Sequence, residues 1–384
     1  MRFTAPPESR WASWKRSGQE VGSILLTMNA FRKCWSLTLM PLVFGLIAWV
    51  GAAPTPKGST GRIVFEHAPD DSAPYPTSGI YSVNADGTQL RALTADGHSH
   101  GPNWSPDGRH ILYIHDTYWP SRLPKPDIRI DDKQWLSHLF NELYVMDSHG
   151  GNAHLLRQLD GPIQAAAWSP DGKTLAFEGT EPGPDGEPAD GLFLIPAHGQ
   201  GEPRLLFRRA SQPAWSPGSN KLAFVVRAAK NVYDGDWAIA VGDADGSHEI
   251  QLTDPDHIQR ALFPAWSPDG KQIAFDAFDV RRPGGVSDQE QVFVMRADGS
   301  DIRQLTTDPK WACLHPTWSP DGTEIAFFCR SEAAPCSAGG ESGLGFPGRG
   351  CVRRIFVMSL SDPNAKPTQI TQHDGANPVF APVP

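Results

Sequence analysis

The chain has 384 residues, of which 37 are Gly, 36 Pro, 13 Trp and 18 Phe. That length is enough for one large or two ordinary domains with a substantial core, and the Gly and Pro content favours many short strands and tight turns. A formal net charge of −9 offers no basic surface for nucleic acid, and that class of function is set aside.

The first predicted element is apolar. No residue from Cys34 to Pro56 is charged, and "WSLTLMPLVFGLIAWV" follows Arg32 and Lys33 and runs up to the small residues Ala52 and Ala53. This is the layout of a secretory signal peptide. An uncleaved anchor is the alternative, because about 20 uncharged residues can span a bilayer. Residues 1–53 are assigned to this extension, 54–60 to a linker and 61–384 to one domain. Translation from Met28 would give "MNAFRKCW", an ordinary signal start, and is expected. Either way the product is exported, periplasmic or otherwise extracytoplasmic, and touches the membrane only through an uncleaved segment.

Residues 61–66, "GRIVFE", read as a strand, and "IYSVNADGTQLRALT" from Ile80 supplies two more. The stretch Gly97 to Gly101, "GHSHG", then fits G-x-S-x-G, the turn that presents a serine nucleophile in α/β-hydrolases. That turn needs a helix straight after it to supply an oxyanion donor. Here Pro102 follows Gly101 and a strand runs into Trp104, so no helix can form. Ser99 is read as a loop residue.

From here the chain repeats. "WSPDG" starts at Trp104, Trp168, Trp266 and Trp318, a degenerate "WSPGS" starts at Trp215, and "FAPVP" starts at Phe380. The anchors lie 47 to 64 residues apart. Each is followed by a strand such as "GKQIAFD", a second such as "VFVMRADG" and a third such as "IRQLT". Four short strands per repeat, joined by turns in which Pro sets φ and Gly accepts positive φ, make an antiparallel propeller blade. The predicted fold is an all-β six-bladed propeller of four-stranded blades. "NPVFAP" near the C-terminus supplies the strand the first blade lacks, closing the ring and removing its open edges. Trp104, Trp168, Trp215, Trp266, Trp318 and Phe380 are read as packing residues between blades.

Strand alternation sorts the loops onto two faces. The S-P-D-G and A-D-G turns share one face and are short. Insertions at 67–78, 115–140, 228–236 and 330–352 share the other, which is the face expected to bind. Tyr118, Trp119 and Trp135 on the 115–140 insertion are candidate contact residues. Three or four residues before each anchor the innermost strands should reach the channel mouth, bringing His100, Gln164, Gln212, His315 and Asn377 together. Two histidines and no carboxylate at these positions make a weak metal set, so no metal or cofactor is assigned. The acidic pairs Asp70-Asp71, Asp131-Asp132 and Asp234/Asp236 read as solvated loop residues.

Four cysteines, Cys313, Cys329, Cys336 and Cys351, cluster near the C-terminus. An even set in an exported chain reads as two disulfides with three connectivities. A Cys329–Cys351 bond would staple the base of the last insertion.

The unit "VFVMRADGSDIRQLT … PTWSPDGTEIAFF" resembles the repeat of the TolB-like periplasmic propellers, and the resemblance covers nearly everything from residue 61 onward. It implies a non-enzymatic, exported scaffold that binds other proteins, or glycans, of the cell envelope. One departure is that TolB carries an α/β domain before its propeller, whereas about eight residues separate Ala53 from the first strand here. A role in the Tol–Pal system therefore does not follow from the repeat alone. The alternative is an enzyme using the channel, either a metal-dependent polysaccharide lyase or another hydrolase. A monomer is expected, with envelope proteins or glycans as partners.

Overall fold

The computed structural model describes residues 61–67, 79–94, 96–118, 139–159, 163, 165–228, 237–279, 289–331, 353–362, 364–372 and 374–382. Among them the regular structure is entirely strand. The first blade holds β1 (Arg62–His67), β2 (Gly79–Asn84) and β3 (Arg91–Ala92). The second holds β4 (Ser99–Trp104), β5 (His110–Tyr118), β6 (Leu139–Asp147) and β7 (His154–Leu159). The third comprises β8 (Ala166–Trp168), β9 (Thr174–Pro182), β10 (Pro188–Pro196) and β11 (Arg204–Arg208). In the fourth are β12 (Ala210–Trp215), β13 (Lys221–Arg227), β14 (Trp237–Asp243) and β15 (Ile250–Gln251). The fifth is β16 (Ile258–Trp266), β17 (Gln272–Asp279), β18 (Gln291–Arg296) and β19 (Arg303–Gln304). The sixth is β20 (Trp311–Trp318), β21 (Glu324–Ser331), β22 (Arg353–Ser359) and β23 (Thr368–Gln369). The last strand, β24 (Ala376–Phe380), returns to pair with β1, giving the sheet β24-β1-β2-β3 and six four-stranded sheets in all.

The W-S-P-D-G motif folds for a local reason. In each full copy the Asp carboxylate accepts the Ser hydroxyl two residues back and a backbone N–H two residues on. The same Ser oxygen accepts the N–H that opens the next strand, as His110 N–H does with Ser105 at 2.9 Å. Gly108, Gly172, Gly270 and Gly322 take φ between 67° and 72° at the corner, where a side chain is strained. In the degenerate copy Ser219 occupies that corner at φ 57°.

Aromatic residues meet in register inside the blades. Phe177 opposes Phe193, Phe275 opposes Phe293 and Phe327 opposes Phe356, each pair stacked. The fourth blade has Ala240 opposite Phe224, and Phe207 of the third blade stacks on Phe224 instead, at 4.4 Å. Gly242 makes room for it, since a Cβ there would lie 2.3 Å from the Phe207 ring.

Hydrophobic clusters join each blade to the next all round the ring, and one set of interblade hydrogen bonds alternates along it. On the second strands of the first, third and fifth blades, Glu66, Glu178 and Asp276 accept the backbone N–H of Gly101, Gln212 and His315 in the second, fourth and sixth. The indoles repeat the alternation. Trp104, Trp215 and Trp318 donate Nε1–H to the carbonyls of Val379, Ala167 and Ala265 in the preceding blade, whereas Trp168 and Trp266 find no partner among the described residues. Equivalent positions on the other three second strands are apolar: Ile114, Val225 and Phe328.

The cysteine expectation is corrected in one respect. Cys329 bonds Cys313, its register partner across β20 and β21, with Cα atoms 4.1 Å apart. It is therefore not available to Cys351. Adjacent antiparallel strands bring opposed Cβ atoms within bonding reach, and sequence spacing could not reveal that register. Cys336 and Cys351 lie outside the described residues.

Candidate functional site

The six innermost strands, β24, β4, β8, β12, β16 and β20, surround a central cavity of about 330 Å³. Its wall is a ring of prolines two residues before the anchors: Pro102, Pro213, Pro264, Pro316 and Pro378, with Ala166 in the third blade. Immediately before each Pro the backbone turns left-handed, at Gly101 (φ 57°), Gln212 (51°), Phe263 (50°), His315 (52°) and Asn377 (51°). Proline disfavours the right-handed helical region for the residue before it. The left-handed turn instead interrupts pairing with the neighbouring strand as a bulge. Four of these five residues are not glycine, and each such conformation costs of order 1 kcal/mol that the surrounding ring must hold in place.

The bulges line the central cavity, and their hydrogen-bond partners cross between blades. Gln212 Oε1 accepts the Phe263 N–H at 2.8 Å, Asn377 Nδ2 donates to Glu66 Oε1 at 2.5 Å, and the His315 imidazole hydrogen-bonds Asn377. His315 also stacks face to face on Phe263 at 3.3 Å. Gln212, His315 and Asn377 are thus brought together as the sequence suggested. Phe263 joins them at the same register, and polarity alone did not single it out.

His100 stands one residue before the ring position, which belongs to Gly101, and does not line the cavity. Its Nε2 lies 3.1 Å from Asp116, whose carboxylate also accepts from Asn141. Gln164, Trp119 and Trp135 fall outside the described residues; Tyr118 closes β5, with its side chain outside them. The strands reach further into the insertions than the sequence indicated, β5 to Tyr118 and β21 to Ser331.

The two histidines titrate in opposite directions. Burial alone would lower His100, but the hydrogen bond to Asp116 and the charges of Asp116, Glu66 and Glu178 outweigh it, and its pKa is raised. Burial pushes His315 down to about 3, and the nearby Arg353 and Arg330 add to the effect. Charge is uneven around the ring. Carboxylates gather on the first three blades, and on the fifth and sixth Arg260 and Arg330 bracket the buried Glu290 at 3.6 and 3.0 Å, while Arg353 grips Asp374.

Ser99 is fully buried, and its hydroxyl donates to Asp96 at 2.9 Å. Nothing about it is set up for nucleophilic attack. Asp96 is held down to about 2: its burial is opposed by hydrogen bonds from His115, His98 and Ser99. Among the described residues no group of three His, Cys, Asp or Glu side chains could hold a metal.

A closed ring of W-S-P-D-G blades around a proline-walled channel defines an all-β propeller of the repeat-scaffold class. The TolB β-propeller domain family matches residues 130–334, and the chain belongs to that family. It is 25% identical over 259 residues to an uncharacterized protein of Agrobacterium fabrum, covering 59% of this chain and 83% of that one. The Tol-Pal system protein TolB of Anaeromyxobacter dehalogenans is 32% identical over 177 residues, 46% of this chain and 26% of its own length. The chain thus spans about a quarter of that relative. The crystal structure of TolB from Acinetobacter baumannii superposes with a TM-score of 0.59 at 17% identity, covering 84% of this chain and 67% of that one. A putative TolB from Agrobacterium tumefaciens gives 0.54 at 19%, covering 83% and 92%. These likenesses show the fold.

Proposed function

We propose that the protein is an exported, non-enzymatic scaffold that binds an envelope protein at the channel mouth on its long-loop face. The observation that carries this reading is the uneven charge around the ring: Glu66, Asp116 and Glu178 on the second strands of the first three blades, and Arg260, Arg330 and Arg353, paired with Glu290 and Asp374, on the fifth and sixth. Such a charge pattern favours a partner whose own charges are arranged in the opposite sense. Rigid blades with long insertions on one face are also where binding loops are generally found. Family membership supports the scaffold reading, and an envelope location agrees with the apolar segment before the propeller. Among the described residues no helix is long and apolar enough to cross a membrane.

The test is site-specific photocrosslinking in intact cells. A photoreactive residue replaces Arg260, exposed where β16 starts on the long-loop face, or Lys173, exposed on the short-turn face. The reading expects one envelope protein captured from position 260 and not from 173. Capture from 173 alone, or of cytosolic proteins only, overturns it.

A further inference from the structure

A second cavity, of about 290 Å³, lies on the opposite side of the ring, where the first blade meets the second. Its lining is Arg62, Ser82, Gln89, Leu90, Arg91, Leu93 and His149, with no carboxylate. In a chain of net charge −9 that is an unusual concentration of cationic side chains.

Register explains how the cleft arises. Ser82 pairs with Val64 on β1 and with Arg91 on β3. Arg62 lies two residues before Val64, so Arg62, Ser82 and Arg91 share one face of the sheet. It is the face whose Val64 packs against Ile111 and Met146 of the second blade. In the other blades the position of Ser82 is held by Val145, Leu194, Val241, Val294 and Val357, as their pairing with the outermost strand shows. A small hydroxyl in place of a branched apolar side chain opens the space and lines it with a polar group.

The polar groups there are uncommitted. Ser82 is only 4% exposed, and its hydroxyl has no partner among the described residues. Neither the Arg62 nor the Arg91 guanidinium is hydrogen-bonded or ion-paired among them. The register equivalent of Arg91 in the third blade behaves differently: Arg204 donates to the carbonyls of Ala244 and Asp245 in the next blade's turn. His149 occupies the turn position that Asp86, Asp245 and Asp298 hold in other blades. Its Nδ1 is engaged with Ser148, and its Nε2 has no partner among the described residues. The nearby acids are occupied in their own turns, Asp86 by Thr88 and Asp147 by Asn152.

We infer that this cleft binds a phosphate group, gripped by Arg62 and Arg91, with Ser82 and His149 completing the donor set. Guanidinium forks match the spacing of phosphate oxygens, and a buried hydroxyl with no partner gains a charge-assisted hydrogen bond when an oxyanion enters. The same chemistry serves free phosphate and a phospholipid headgroup. The site is separate from the channel mouth, so it stands or falls independently of the function proposed above.

The experiment is titration calorimetry of the chain with inorganic phosphate, paired with co-sedimentation on phosphatidylcholine vesicles with and without phosphatidate. Two variants restore what other blades carry and so should fold normally, which thermal melting checks: Ser82→Val, filling the cleft, and His149→Asp, placing a carboxylate in it. Phosphate should bind the parent chain, and each variant should weaken it about tenfold or more. Retention on phosphatidate vesicles without response to free phosphate identifies a headgroup, and response to both identifies the phosphate group alone. The inference is overturned if the parent chain responds to neither, or if both variants bind as the parent does.

Discussion

The backbone N–H of His315 donates to Asp276 Oδ1 at 2.8 Å, joining the fifth and sixth blades through a carboxyl group with no solvent exposure. Burial raises the Asp276 pKa well above the usual carboxylate range, and the charge of Glu290 raises it further. Its Oδ2 has no partner among the described residues. The folded state therefore holds a proton that the unfolded chain releases near pH 4. Stability is undiminished below the unfolded pKa and declines as pH rises toward the folded one. Asp276→Asn keeps the acceptor for His315 and removes the charge. Thermal melts should show this variant matching the parent below about pH 4 and exceeding it at neutral pH. A variant less stable than the parent at pH 7 contradicts the assignment.

His315 acts in the opposite sense. Its pKa is lowered to about 3, so its contribution is intact above the unfolded value of 6.5 and fades as pH falls toward 3. His315→Gln should flatten the acid side of the stability profile between these two values. A parallel acid limb in denaturant melts of parent and variant would show that another group is responsible.

Gly242 is required for space, not for backbone freedom. A methyl group there would meet Phe207, which is buried and stacked on Phe224. Gly242→Ala should cost about 1–3 kcal/mol in urea unfolding, the usual range for overpacking. Phe207→Leu in the same background should recover part of the loss.

The Cys313–Cys329 bond closes a loop of separation 16. Chain entropy assigns such a loop about 3 kcal/mol, although the strands it joins already pair. Reductant should lower the melting temperature of the parent and leave Cys313→Ala/Cys329→Ala unmoved. Reductant sensitivity that persists in the double variant would point to Cys336 and Cys351.

Ring closure depends on β24. Phe380 is 6% exposed and packs with Ile63 and Phe65 of the first blade and Leu314 of the sixth. Phe380→Ala should cost about 3–5 kcal/mol, as buried Phe truncations do, and removal of residues 375–384 should lower the melting temperature of the whole ring. A deletion that melts like the parent would show that closure is dispensable.

The fold was legible because its causes are local and repeated. Each W-S-P-D-G turn is satisfied by its own Ser and Asp, and each following strand alternates in the same way. The site was legible only in part. Gln212, His315 and Asn377 lie three residues before their anchors, where the ring position falls, whereas His100 lies four before Trp104 and the ring position of the second blade is Gly101. Phe263 went unremarked because an aromatic in a strand reads as core. The phosphate cleft could not have been found by motif, since Ser82 gains its meaning only from five apolar residues that share its register.

The repeat by itself determined the blade, the number of blades and the way the ring closes. These follow from turn chemistry and strand period, which act between residues close in the chain. Tertiary structure alone decided that one set of interblade hydrogen bonds alternates around the ring, that His100 and His315 titrate in opposite directions, that Cys313 is the partner of Cys329, and that one interblade cleft is cationic. Each of these depends on which groups are brought together across strands and blades and on how far burial strips them of water. Electrostatics and hydrogen bonding act at those distances, and no stretch of sequence records them.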